Sequence, residues 1–214
     1  MRLLIFDLDG TIAHTALSVC RGVNVALREY GKPSVTQEEV AAAMGSGARM
    51  LITRLLPEGD RENGELIEEV LRRYEAAYEE ICADAPLYEG MEETLRTLKE
   101  RGYLLAVLSN KQDEYVRKMM SAYFEDGFFA HVQGQTSLPK KPDPTVPLMI
   151  AEALAVPPCE CAFIGDSDVD VLTGKNAGMT AVGCAWGYRP YEVLAAHSPH
   201  KIVKHPRELL NIFD

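Results

Sequence analysis

Two aspartates, Asp7 and Asp9, stand two residues apart directly after the first apolar run of the sequence. A carboxylate can attack phosphorus and form a covalent aspartyl-phosphate, and a second carboxylate nearby can move the proton of the leaving group. A turn at Gly10 can bring both carboxylates to one site, because glycine frees the backbone to bend and lets N–H groups face a phosphate. We therefore predict a phosphoryl-transfer site here, with Gly10 and Thr11 as candidate substrate-binding residues.

Polar side chains also follow later apolar runs. In an open α/β sheet the carboxyl ends of the strands converge on one crevice, so we expect these side chains to meet Asp7 and Asp9. Several carboxylates in one cleft repel each other unless a divalent cation neutralises them, and hard oxygen ligands favour Mg²⁺. Lys141 is a candidate for adding positive charge to the same cleft. The later residues are Ser109 and Asn110 after one run, and Asp166, Asp168 and Asp170 after another.

Five short apolar runs are predicted to be buried parallel strands, because each ends at polar loop residues. Stretches with apolar residues at helical spacing lie between them. Strands that alternate with helices of 10–15 residues indicate βαβ units and a parallel sheet, so we predict an α/β fold with a Rossmann-like core. The predicted strands are 2–6, 103–108, 128–132, 162–164 and 180–185, and the predicted helices are 91–101, 114–123 and 145–155.

The connection after the first strand is too long for a loop. About 80 residues precede the helix at Met91, where such connections usually have 2–6. The spacing predicts four helices in this segment: one before the break at 31–33, one opened by a capping box at Thr36, one over 48–56, and one capped by Asp60. We therefore predict a core of residues 1–13 and 86–214 and an inserted α-helical cap at 14–85.

The amino-acid composition limits the classes of partner that the protein can bind. Lys plus Arg is 22 and Asp plus Glu is 32, giving a net charge of −10 that disfavours nucleic acid and anionic membranes. No run approaches the ~18 apolar residues of a membrane helix. The five cysteines show no framework spacing, which indicates reduced thiols. We predict a cytoplasmic protein, a monomer or homodimer, whose partner is a small phosphorylated metabolite.

Four motifs in chain order resemble those of the haloacid dehalogenase (HAD) superfamily. The match spans almost the whole chain and includes a helical insert after the first motif. Within the superfamily the sequence is similar to the phosphoglycolate phosphatase-like branch. One motif alone is weak evidence, but the ordered set is specific. The motifs are Asp7-Leu8-Asp9-Gly10-Thr11, Leu108-Ser109-Asn110, Lys141-Pro142-Asp143-Pro144 and Gly165-Asp166-Ser167-Asp168-Val169-Asp170.

The resemblance implies roles for the motif aspartates. Asp7 would be the nucleophile, and Asp9 the general acid that protonates the leaving alkoxide and then the base that activates water. Asp7 and Asp166 would hold Mg²⁺ together with the backbone carbonyl of Asp9. Asp170 would orient a metal-bound water. The implied metal residues are therefore Asp7, Asp9, Asp166 and Asp170.

The remaining motif residues would stabilise the transferring group. Ser109 would donate a hydrogen bond to the phosphoryl oxygens, and Lys141 would neutralise Asp7 and the charge that spreads over those oxygens. Asn110 and Arg49 are candidate substrate contacts, the latter from a loop of the insert. His14 departs from the branch, which carries Asp at that position. We expect His14 to receive an anionic substrate tail or to adjust closure of the cap.

The resemblance and the residues together predict a Mg²⁺-dependent phosphomonoesterase that acts through an aspartyl-phosphate on a small metabolite such as 2-phosphoglycolate. One alternative is a sugar phosphomutase of the β-phosphoglucomutase kind, which shields the aspartyl-phosphate from water and passes it to a second hydroxyl. Another, from a different class, is a non-catalytic phosphate-sensing partner of another protein. The complete set of charged motif residues favours the enzyme.

Overall fold

A computed structural model describes residues 1–213 of the 214-residue chain. The chain divides into two compact units, one formed by Met1–His14 and the chain from Leu87 onward, the other by Thr15–Pro86. These boundaries lie one residue from the predicted ones. The role of the inserted unit as a cap remains a proposal.

The first unit is built on one all-parallel sheet. Its strands are β1 (Leu3–Phe6), β2 (Leu104–Gln112), β3 (His131–Gln135), β4 (Cys161–Gly165), β5 (Thr180–Cys184) and β6 (Lys201–Val203). Their spatial order is β3-β2-β1-β4-β5-β6, with every neighbouring pair parallel. The predicted α/β fold class is confirmed.

The inserted unit is helical. Its helices are α1 (Ala16–Glu29), α2 (Gln37–Ala43), α3 (Ala48–Leu55) and α4 (Gly64–Ile81), with short 3₁₀ turns at Glu58–Asp60 and Cys82–Asp84. The predicted capping box is present, because Thr36 accepts from the Glu39 N–H while the Glu39 side chain accepts from the Thr36 N–H. The predicted cap of the fourth helix is wrong: Asn63 caps it, and Asp60 instead pairs with Lys32 at 2.8 Å.

Helices of the first unit connect the strands. They are α5 (Met91–Glu100), α6 (Asp113–Tyr123), α7 (Thr145–Ala153), α8 (Asp168–Asn176), α9 (Tyr191–Ala196) and α10 (Leu209–Ile212), with 3₁₀ turns at Pro158–Glu160 and Pro206–Glu208. Within the described residues, no helix is long and apolar enough to cross a membrane.

The centre of the sheet is fully buried. The side chains of β1 are apolar at every position and have no exposed surface, as expected for a parallel strand covered on both faces. On one face Leu3 and Ile5 pack in a cluster with Phe163 of β4 and with Val146 and Ile150 of α7. Burying each such side chain contributes ~1.5–3 kcal/mol, so the frame that carries the strand ends is rigid.

The largest differences between the predicted and the observed strands are at β6, β3 and β2. The short strand β6 was missed, because Lys201–Val203 is only three residues and begins with a lysine. The predicted strand 128–132 begins only at His131, since Phe128 stacks on Phe124 at 4.5 Å between ring centroids. Strand β2 continues past Leu108 as far as Gln112, because Gln112 pairs with Gln135 after a shift of register.

Candidate active site

Three carboxylates meet at the carboxyl ends of β1 and β4. The register aligns Phe6 with Ile164, so Asp7 and Asp166 leave neighbouring strands at nearly the same level. One ligand atom from each of Asp7, Asp166 and Asp170 lies within 4.8 Å of the others, and all three residues are buried. Sheet topology therefore brings together three of the five aspartates that the sequence predicted to meet.

Two glycines let separate loops close around Asp166. Gly10 has a φ of +82°, and a Cβ there would lie 2.3 Å from an Asp166 carboxylate oxygen. A Cβ at Gly187 would lie 2.2 Å from the Asp166 Cβ and 2.4 Å from the Gly10 carbonyl oxygen. Side chains at either position would displace the carboxylate, so the glycines set its location.

Lys141 enters the same cluster. Its Nζ lies 2.8 Å from Asp7 Oδ1 and 2.7 Å from Asp170 Oδ1, and its side chain is 3% exposed. Burial alone would lower the pKa of Lys141, but the charges of Asp170 and Asp7 outweigh it and hold the pKa above its usual range. The ammonium is therefore charged and binds the two carboxylates together.

The loop that carries Lys141 is held by two asparagines. The Asn110 amide donates to the Lys141 carbonyl at 3.1 Å and accepts from the Lys141 N–H at 2.9 Å. Asn176 donates to the Pro142 carbonyl at 2.9 Å. We predicted that Asn110 contacts substrate; in the structure both ends of its side-chain amide contact the Lys141 backbone, and the substrate contact stays a prediction. Asn110 positions the lysine.

Asp170 is fixed by the start of α8. Ser167 caps this helix and forms a capping box with Asp170, whose Oδ2 accepts from the Ser167 N–H at 3.0 Å and hydroxyl at 2.6 Å. Asp168 lies in the first turn of this helix, 3.7 Å from the Arg189 guanidinium. With Oδ1 on Lys141, Asp170 has protein partners on both oxygens and orients the ammonium.

Asp9 lies apart from the three-carboxylate cluster and has a basic partner of its own. Its Oδ1 is 2.9 Å from the Nζ of Lys111. Sequence reasoning missed Lys111, although a signal was present: a lysine stands directly after Ser109 and Asn110. The Asp9 side chain is thus separate from the metal candidates, and only its backbone carbonyl was implied as a ligand.

The two hydroxyls of the site differ in what they contact. The Ser109 Oγ accepts from the Lys111 N–H at 3.2 Å. Within residues 1–213 the Ser109 hydroxyl donates its own hydrogen to no group. Thr11 is fully buried, and its hydroxyl is directed at Asp166 Oδ1 at 3.4 Å. The Thr11 side chain therefore braces Asp166, and a substrate contact by Thr11 stays a prediction. Tyr188 braces the other oxygen with its N–H at 2.6 Å.

The two remaining candidates lie in different units. His14 is half-buried in the first unit and contacts the rings of Tyr88 and Tyr188 edge-on, at centroid distances of 5.5 and 5.9 Å. Arg49 belongs to the inserted unit, where its Nε lies 2.7 Å from Glu68. A substrate role for His14 or Arg49 stays a prediction.

Comparison with known proteins decides the family. The family model described as "Haloacid dehalogenase-like hydrolase" matches residues 4–184, which include every motif quoted above. The chain belongs to this family.

Its relatives in the family are phosphatases. The chain is 33% identical to the phosphoglycolate phosphatase of Haemophilus influenzae, over 99% of this chain and 97% of that protein. It is 34% identical to the phosphoglycolate phosphatase of Pseudomonas putida, over 98% of this chain and 78% of that protein. The crystal structure of a predicted phosphoglycolate phosphatase from Haemophilus somnus 129pt superposes with a TM-score of 0.92 at 28% identity, covering 100% and 98% of the chains. The predicted enzyme class, a HAD-family phosphatase, is confirmed.

Charge in this phosphatase site is unbalanced. Burial raises the pKa of Asp7 to about 7; Lys141 opposes this shift, and Asp170 and Asp9 add to it. Burial, with repulsion from Asp170 and Asp7, also raises the pKa of Asp166 well above its usual range. A buried carboxylic acid with too little positive charge nearby keeps its proton to a higher pH than an exposed one.

The donor set fits a hard divalent cation. The cluster of Asp7, Asp166 and Asp170 contains three carboxylates and one contacting ammonium, that of Lys141, so negative charge is in excess. All the candidate ligands are oxygen atoms, which suit Mg²⁺ better than a soft metal. Asp7, Asp166 and Asp170 are the candidate ligands for such an ion, because one carboxylate oxygen of each lies within 4.8 Å of the others.

Proposed function

We propose that this phosphatase hydrolyses a small phosphorylated metabolite through an aspartyl-phosphate on Asp7, with Mg²⁺ as cofactor and 2-phosphoglycolate as the candidate substrate. The observation that carries the proposal is the buried contact of Asp7 with Lys141, next to Asp166 and Asp170. The names of the relatives support the choice of substrate.

The first half of the reaction uses Asp7 and Asp9. A carboxylate oxygen of Asp7 bonds to phosphorus while the bond from phosphorus to the ester oxygen breaks, and Asp9 gives its proton to the leaving alkoxide. Lys141 holds the attacking carboxylate and offsets charge on the phosphoryl group. The Ser109 hydroxyl, whose oxygen accepts from Lys111, can donate its own hydrogen to a phosphoryl oxygen.

The second half returns the enzyme to its starting state. Asp9, now a carboxylate, takes a proton from water as the water oxygen bonds to phosphorus. The bond between phosphorus and Asp7 breaks, and inorganic phosphate leaves. Mg²⁺, held by Asp7 and Asp166, would supply positive charge against the phosphoryl oxygens.

The proposal also covers the inserted unit, the partners and the location of the enzyme. We propose that the inserted unit acts as a cap that excludes water and selects substrate. Nucleic acid and membranes are not proposed as partners, given the net charge of −10. A cytoplasmic location and a monomeric or homodimeric state complete the proposal.

The test is phosphate release from 2-phosphoglycolate, sugar phosphates and nucleoside monophosphates, with Mg²⁺ or with excess chelator. We expect Mg²⁺-dependent turnover with 2-phosphoglycolate preferred. Asp7→Asn should lose turnover, because an amide is a poor nucleophile, while Asp168→Asn should retain it, since Asp168 faces Arg189 outside the cluster. Turnover by Asp7→Asn, or turnover in chelator, would contradict the mechanism.

A further inference from the structure

Lys111 is a second buried ammonium that the hydrolysis above does not require. Lys141 already supplies the positive charge beside the nucleophile. The Lys111 side chain is only 8% exposed, and its Nζ lies 2.9 Å from Asp9 Oδ1. A lysine is seldom buried without a charged partner, and the partner of Lys111 is the proposed acid/base residue itself.

The backbone fixes the position of Lys111. Its N–H donates to the Ser109 hydroxyl oxygen, and the next residue, Gln112, pairs with Gln135 of β3. Gly134 packs against this segment so closely that a Cβ there would lie 2.7 Å from the Lys111 carbonyl oxygen. The ammonium is therefore presented from a strand end, which locates it better than a free loop would.

The partner of Lys111 locates the ammonium relative to the substrate. In the proposed reaction Asp9 hydrogen-bonds the ester oxygen of the leaving group. A carboxylate that bridges an ammonium and an ester oxygen through hydrogen bonds of ~2.8 Å keeps them within roughly 8 Å of each other. A carboxylate one carbon away from the ester oxygen falls within reach of that ammonium. A neutral leaving group offers nothing to it.

We propose that Lys111 is a specificity-determining residue, which selects phosphate esters whose leaving group carries a carboxylate on the carbon next to the ester oxygen. The proposal rests on the proposed function and adds the residue that recognises the leaving group. An ammonium carries three donors, so it can bind carboxylates from two sides. Because the group is already withdrawn from water, binding the substrate carboxylate costs little further desolvation.

Two matched substrates test the proposal. 2-Phosphoglycolate and ethyl phosphate share the ester linkage and differ in a carboxylate against a methyl group. For Lys111→Met, which keeps the length of the side chain and removes its charge, we expect the KM for 2-phosphoglycolate to rise about 10–100-fold. Because Lys111 also contacts Asp9, the kcat/KM for ethyl phosphate should fall as well, but by a factor at least about tenfold smaller than for 2-phosphoglycolate. Lys111→Arg should recover part of the preference, and Lys140→Met, at an exposed neighbouring lysine, should keep wild-type values.

Binding of the product gives a readout that does not depend on chemistry. Glycolate should inhibit hydrolysis of ethyl phosphate by the wild-type enzyme, and its inhibition constant should rise in Lys111→Met by the same factor as the KM. Equal losses for both substrates would overturn the proposal and show that Lys111 acts through Asp9 or the fold. Unchanged values for both would also overturn it.

The outcome separates this proposal from the proposed function. A wild-type enzyme that hydrolyses both esters with Mg²⁺ and shows no preference for 2-phosphoglycolate would refute the role of Lys111 and leave the phosphatase mechanism standing. Failure of the wild-type enzyme to release phosphate from either ester would refute both.

Discussion

At the scale of single residues, the buried charges of the site stabilise each other, so that removing one leaves its partners without compensation. Lys141 joins Asp7 and Asp170 through contacts of 2.8 and 2.7 Å in a buried environment. Removing one partner of such an arrangement leaves the other charges buried without compensation, which costs far more than an exposed ion pair contributes.

Lys141→Met should therefore damage both activity and stability. We expect kcat to fall about 10²–10³-fold, because a group that offsets transition-state charge is lost. The free energy of unfolding should fall by about 3 kcal/mol, measured by denaturant titration in Mg²⁺. The control is Lys140→Met, whose side chain is exposed. Near-wild-type kcat in Lys141→Met would show that the ammonium has no part in the reaction.

The acidic cluster should also make the metal-free protein less stable as pH rises. In the folded state burial raises the pKa values of Asp7 and Asp166, so between about pH 4 and 7 the folded protein binds more protons than the unfolded chain. The free energy of unfolding therefore falls as pH rises through that window.

Asp166→Asn tests this in chelator. Loss of one carboxylate removes repulsion, so at pH 8 the variant should melt above the wild type by ~3–6 °C, or about 1–2 kcal/mol. At pH 4 the difference should shrink. Mg²⁺ should raise the melting temperature of the wild type and leave that of the variant nearly unchanged. Asp168→Asn, with the same change in net charge, is the control, and a variant that melts below the wild type at pH 8 would contradict the argument.

At the scale of elements, strand ends and loop anchors carry the chemistry. Asn110 follows Ser109 on β2 and holds the backbone of Lys141, 31 residues later in the chain, through two hydrogen bonds. Asn176, near the end of α8, holds the adjacent Pro142. The loop with Lys141 is thus tied to two different elements of the core.

Asn110→Ala should therefore affect kcat more than KM. A displacement of the ammonium by about 1 Å can cost up to ~10²-fold in rate, and we expect a fall of about 10–100-fold. Asn176→Ala, which removes one bond, should have a smaller effect. Steady-state kinetics with 2-phosphoglycolate would measure both. A change in KM with no change in kcat in Asn110→Ala would instead indicate that Asn110 contacts the substrate.

The sequence predicts the strand ends of the site but not the contacts made by its loops. Apolar runs that end at Asp7 and Asp166 predict both the strands and the meeting of their ends, because a parallel sheet brings those ends together. The contacts of Asn110 and Lys111 were beyond that reasoning. Each depends on a partner brought close by loop conformation, namely the Lys141 backbone and the Asp9 carboxylate. Spacing along one chain carries no record of such proximity.

At the scale of the whole molecule, the two chain segments that lead into and out of the inserted unit are hydrogen-bonded to each other. Ala13 and Leu87 form an antiparallel bridge, and the Tyr88 N–H donates to the Ile12 carbonyl at 3.1 Å. The chain therefore leaves the core and returns to it at adjacent points, and the sheet is built without any strand from the insert.

Replacing Thr15–Pro86 with a flexible linker of about four residues should leave a folded core, because such a loop can join paired chains. We expect cooperative thermal melting and a mixed helix and strand signal in circular dichroism. Turnover of 2-phosphoglycolate should fall, since the proposed cap would be lost. Aggregation or a non-cooperative transition would show that the core needs the insert to fold.

The bridge between Ala13 and Leu87 has a consequence for how such enzymes diversify. Since the two crossing points are held side by side by main-chain bonds, a segment of any length can be exchanged between them without altering the register of the sheet or the residues at its edge. Recombination at this junction would exchange the insert, our proposed cap, and leave the sheet unchanged, so hybrid proteins that carry inserts from relatives should fold. The fold thus lets the proposed cap vary while the residues at the strand ends stay the same.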